Sequence, residues 1–151
     1  MFNPKRILVT TDFSSESDMA IQEALDIGGK YKSHIYLLHV IPEVEQCAAD
    51  YCLDASDVMA EKDQLMAQAK KKMKEELARV TKKKTIPVSS DIRFGHASDV
   101  IIEVERERGI DLVIAAPHTH KKRAWRLFPH LTETLVNESP AETLVVRSSI
   151  H

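Results

Sequence analysis

The feature that most restricts the fold is a five-residue apolar run, Leu112-Val113-Ile114-Ala115-Ala116, bounded by Asp111 and Pro117. So short a run, apolar at odd and even positions alike, reads as a strand buried on both faces rather than a helix. Ile7-Leu8-Val9, at the centre of Arg6 to Thr11, reads the same way. A strand with two buried faces needs cover on both, and a parallel sheet obtains it from the helices that connect its strands.

The rest of the chain supplies that alternation. Ser15 with Asp18 is an N-cap pairing, and Ala20, Ile21, Ala24, Leu25 and Gly28 form one apolar helical face. Gly28-Gly29 reads as the stop of this helix. His34 to Val40 is the second strand, and Ile41 to Ala55 reads as irregular. A long helix starts at Ser56, with Val58, Leu65, Met66, Ala69, Met73, Leu77 and Val80 as its stripe. Its lysines, Lys70-Lys71-Lys72 and Lys74, read as a solvated face. Beyond Pro87, Val88 to Phe94 alternates apolar and polar residues, as a strand with one exposed face does at a sheet edge. Val100, Ile101 and Val104 mark a third helix that Gly109 ends. Leu131 to Asn137 and Thr143 to Arg147 close the series as helix and strand.

A chain of 151 residues suits one domain, here residues 1–151. Hydrophobic residues at 43% and charged ones at 29% are ordinary globular values and favour neither a disordered chain nor a membrane-embedded one. The net charge of -2 argues against a general nucleic-acid binder. No segment has signal-peptide character, and no apolar run approaches the roughly 20 residues of a spanning helix. A cytoplasmic protein without a membrane partner is expected. Cys47 and Cys52 are too few for a disulfide framework and lack zinc-knuckle spacing, so no metal or redox role is assigned to them.

Asp111 to Arg147 reads as strand, basic loop, helix, strand, the layout of a phosphate-binding corner. The loop carries His118, His120, Lys121, Lys122, Arg123, Arg126 and His130, with no acid between Pro117 and Thr132. Side-chain cations of this kind can grip a phosphate, arginine in bidentate fashion; the alternative reading is a solvated basic loop. His118, His120 and His130 with Asp12 are weighed as zinc or nickel ligands and set aside, because the neighbouring cations repel a metal ion. Trp125 and Phe128 read as anchors of the loop. No nucleophile elbow or catalytic grouping is present, so no catalytic residue is assigned.

ILVTTDFSSES at the first strand and helix, HIYLLHV at the second strand, IRFGHASDVIIE, DLVIAA and the terminal TLVVR resemble, in this order and spacing, the universal stress protein family. The resemblance spans nearly the whole chain. It implies an α/β fold with one open parallel five-stranded sheet, order 3-2-1-4-5, and helices on both faces. The first and fourth strands then flank a switch point, where open α/β sheets bind ligands. The nucleotide- or anion-binding candidates there are Thr11, Asp12, Val40, Ala116, His118, His120, Arg123, Arg126 and His130. Of these, Asp12 and Val40 match the family's acid and its adenine-side valine. Alternatively, they are a loop cap and a core residue. The glycines that ATP-binding members place after the fourth strand fall here on Ala116, Thr119 and Pro129, and His130 follows. Pro129 has no N–H to offer a phosphate. The resemblance, so modified, implies a regulatory or protective binding module that is not an enzyme, not a conventional ATP binder, and has no bound cofactor. The alternative is an adenine-nucleotide binder that uses the basic loop. A homodimer is expected through the fifth strand, Thr143, Leu144, Val145, Val146 and Arg147, whose edge exposes backbone groups.

Overall fold

The computed structural model describes residues 1–43, 47–48, 51–52, 55–82, 86–116 and 131–146. Its elements are β1 (Arg6–Thr10), α1 (Ser15–Tyr31), β2 (His34–Ile41), β3 (Cys47–Ala48), β4 (Tyr51–Cys52), α2 (Ala55–Val80), β5 (Val88–Phe94), α3 (Ala97–Arg108), β6 (Leu112–Ala115), α4 (Leu131–Glu138) and β7 (Glu142–Val145). Five strands form one parallel sheet in the order β5-β2-β1-β6-β7. Counted along that sheet, this is the expected 3-2-1-4-5.

Two apolar layers enclose the sheet. On one face Ile7 and Val9 pack with Ile21 and Leu25 of α1 and Met73 of α2. On the other, Leu8 and Val113 pack with Ile101 of α3 and Leu135 of α4. Successive residues of β1 thus serve opposite layers, which is why its apolar run has no polar parity. β5 and β7 are the two edges.

Three local expectations are corrected. The N-cap of α1 is Ser14, one residue before the expected Ser15: its backbone is extended and its Oγ accepts from Ser17 N at 3.2 Å. Gly28-Gly29 does not stop α1, which runs on to Tyr31 and ends at Lys32 in the left-handed conformation, φ 55°. Gly28 instead marks a close approach to β2, since a Cβ there would lie 2.9 Å from Ile35 Cδ1. Within Ile41 to Ala55, read as irregular, β2 continues through Ile41. There β3 and β4 also pair antiparallel, with Cys47 opposite Cys52. Gly109 does end α3, with φ 62° and its N–H bonded to Glu105 O.

Candidate functional site

The turn after β1 is held by its own short polar side chains. Asp12 Oδ1 accepts from Ser14 N at 2.9 Å, from Ser17 Oγ at 2.5 Å and from Ser14 Oγ. Asp12 N donates to Ser17 Oγ at 3.0 Å. These bonds close an Asx-type turn onto the helix cap. Phe13 lies in the left-handed region, φ 65°, uncommon for a residue with a side chain. Its N–H donates to Thr11 Oγ1 at 3.0 Å. The strained turn directs the Phe13 ring across to β2, where it meets His39 in a tilted contact with centroids 4.4 Å apart.

Beside this pair lies a cavity of about 240 Å³. Its walls are Asp12 and Phe13 from the β1 turn, His39 and Val40 from β2, and Leu65 and Lys72 from α2. Lys72 Nζ sits 5.9 Å from the Phe13 ring centroid. The volume falls just below the roughly 300–1,000 Å³ of pockets for drug-sized ligands, so it suits one ring with its substituents. A hollow of about 330 Å³ lies at the opposite end of the sheet, around Phe2, Asp111 and Glu142. Open parallel sheets bind at the carboxyl ends of their strands, which favours the cavity beside Phe13.

Beneath the cavity, Thr11 joins two ionisable groups. Its hydroxyl donates to Glu76 Oε2 at 3.1 Å, and its carbonyl accepts from His39 Nδ1 at 2.7 Å. Burial pushes the Glu76 carboxyl above its ordinary value, opposed by the Thr11 hydrogen bond. Burial pushes the His39 imidazole down, opposed by the bond to Thr11 and by Asp12 and reinforced by Lys72. The balance of these effects favours the neutral imidazole.

The expected site residues are distributed as follows. Asp12 and Val40 meet at the cavity, and Asp12 is at once the turn's cap and part of the wall. Val40 also packs against the layer around Leu8. Thr11 is buried, with its hydroxyl turned to Glu76. Ala116 is buried just past β6. His118, His120, Arg123, Arg126 and His130 lie outside the described residues, as does Arg147 of the edge strand. Among the described residues, no three His, Cys, Asp or Glu side chains gather as a metal site. Phe13, His39, Lys72 and Glu76 were not among the sequence candidates. For His39 the only sequence signal was its position beside Val40, on the strand face opposite to Leu38.

A parallel sheet with this order, covered on both faces and hollowed at the carboxyl ends of β1 and β2, defines an open α/β fold. The model of the universal stress protein family matches residues 3–147, and the chain belongs to that family. Universal stress protein A homolog 2 of Coxiella burnetii is 29% identical over 123 residues, covering 78% of either chain. A universal stress protein of Methanocaldococcus jannaschii is 27% identical, covering 95% of this chain and 94% of that one. Among solved structures, the stress protein UspA from Lactobacillus plantarum has a TM-score of 0.79 at 21% identity, covering 97% of this chain and all of that one (100%). A universal stress protein solved in complex with cAMP has a TM-score of 0.71 at 16% identity, covering 98% and 100%. At these identities the two structures speak for the fold.

Proposed function

We propose that this protein is a regulatory binding module, acting without catalysis, whose cavity takes the ring of a small molecule of the adenine-nucleotide class. The carrying observation is the cavity bounded by Asp12, Phe13, His39, Val40 and Lys72 at the carboxyl ends of β1 and β2. An aromatic face, a fixed imidazole and a valine suit a planar heterocycle, and Lys72 supplies a cation for an attached anion. The cAMP complex of a relative with this fold supports the same class.

A triphosphate fits less well. The family's phosphate cradle relies on backbone N–H groups that glycines leave accessible, and Ala116, Thr119 and Pro129 stand at those positions. Ala116 is buried, and Pro129 brings no N–H. Cations must carry the phosphate instead: Lys72, together with Arg123 and Arg126 of the basic loop.

Calorimetric titration with ATP, ADP and AMP, each with and without magnesium, tests this. AMP is expected to bind at least as tightly as ATP and without dependence on magnesium. Magnesium-dependent ATP binding clearly tighter than that of AMP would restore the conventional family ligand. Phosphate release from ATP above a buffer blank, lost in Asp12→Ala, would show that the protein is an enzyme after all.

A further inference from the structure

We infer that His39 is a specificity-determining acceptor, favouring purines with an exocyclic amine over those with a carbonyl at the same ring position. This rests on the ring-binding reading above.

His39 Nδ1 faces the Thr11 carbonyl oxygen. A carbonyl oxygen only accepts, so the 2.7 Å contact requires His39 Nδ1 to carry the proton. In the neutral ring Nε2 then holds the lone pair, and which nitrogen is protonated is set by the bond the other makes. Among the described residues Nε2 has no hydrogen-bond partner, while the ring itself lines the cavity. The Nδ1 bond and a tilted contact with the Phe13 ring, interplanar angle 40°, hold the imidazole in place, so the acceptor's direction is set before a ligand arrives. Of the charged neighbours, Asp12 uses its Oδ1 on Ser14 and Ser17, and Lys72 lies toward the Phe13 face, where it suits an anionic substituent.

A fixed acceptor meets an amine N–H with a hydrogen bond. Facing a carbonyl, it sets lone pair against lone pair and leaves both groups desolvated without a donor. Sites built on a polar group reject the ligand that fails to satisfy it far more strongly than apolar pockets reject a misfit.

The test is titration of the full chain with AMP and IMP, which differ in the 6-amino and 6-oxo group. AMP is expected to bind about tenfold or more tightly than IMP. In His39→Gln, whose amide rotates to present either a donor or an acceptor, that ratio should shrink to about twofold to threefold. AMP binding with an undiminished preference in His39→Gln, or with no preference in the wild type, overturns the role of His39 and leaves the ring-binding reading standing. Failure of both AMP and IMP to bind the wild type overturns both. If His39→Gln does not fold, the nitrogen-15 spectrum of the wild-type His39 ring decides. The Nε2 resonance should be that of an unprotonated nitrogen and move when AMP is added. A proton on Nε2, or no response to bound AMP, refutes the assignment.

Discussion

Thr11 links a strand end, a helix and the cavity with one side chain and one carbonyl. The helix contribution, Glu76, is buried, and its Oε1 has no partner among the described residues. Among the described residues, the Thr11 hydroxyl and the Arg79 guanidinium, 3.7 Å away, offset the desolvation of that carboxyl. Thr11→Val removes the hydroxyl while keeping the shape. It should destabilise the protein by about 1–3 kcal/mol in denaturant unfolding at neutral pH. Glu76 also sets a pH dependence. Its native carboxyl binds a proton more tightly than the unfolded chain does. The associated stability is therefore complete below the ordinary carboxylate range and is lost as pH rises through the raised value. Glu76→Gln has no such loss. The stability of this variant relative to wild type should be lowest near about pH 4 and rise toward neutrality. A difference independent of pH would refute the buried ionisation. None of this was legible in the sequence. Glu76 falls in the apolar stripe of α2 as one acid among many, and its partner is 65 residues away.

Among the elements, α1 separates what a local pattern reveals from what it hides. Its apolar face was readable because Ala20, Ile21, Ala24 and Leu25 recur at helical spacing, and all four are buried. Its end was not readable, because Gly28-Gly29 imitates a stop signal. Only packing against β2 shows why the glycines are there. The two differ in their surroundings, and this gives a prediction. A Cβ at Gly29 would meet Ile86 Cδ1 at an ordinary 3.6 Å, whereas at Gly28 it would press on Ile35, itself fully buried. Gly29→Ala should stabilise the helix by about 0.5–1 kcal/mol. Gly28→Ala should fall short of that gain, and Gly28→Val should be destabilising, all read from thermal unfolding. Equal gains for the two alanine variants would show that the close approach to β2 does not matter. The strands were more legible than the helix ends, since a short apolar run or an apolar–polar alternation marks a strand within its own few residues. The candidate site was legible only at Asp12 and Val40. The Phe13–His39 ring contact and the tautomer of His39 depend on contacts across elements that no spacing encodes.

For the molecule as a whole, the arrangement of strands leaves β7 with one neighbour. Glu142 N and Val146 N bond to Asp111 O and Ala115 O of the β6 side. By alternation, the N–H groups of Thr143 and Val145 point away from the sheet. We propose that two copies pair along this edge, which would remove an exposed ladder of backbone groups. Val145→Pro deletes an outward donor and keeps the β6 ladder, so it should yield a folded monomer in sedimentation where the wild type sediments as a dimer. A monomeric wild type would end this proposal. The strand order has a consequence in time as well. β1 sits at the centre, yet one of its two neighbours, β6, is made far later: Lys5 and Asp111, which meet at the foot of these strands, are 106 residues apart. At synthesis rates of about 5–20 residues per second, the central strand waits about 5–20 seconds for that flank. Any sheet built from β1 and β2 in that interval leaves the β6-facing edge of β1 open. A newborn chain of this stress-response family is thus itself in need of protection until β6 arrives.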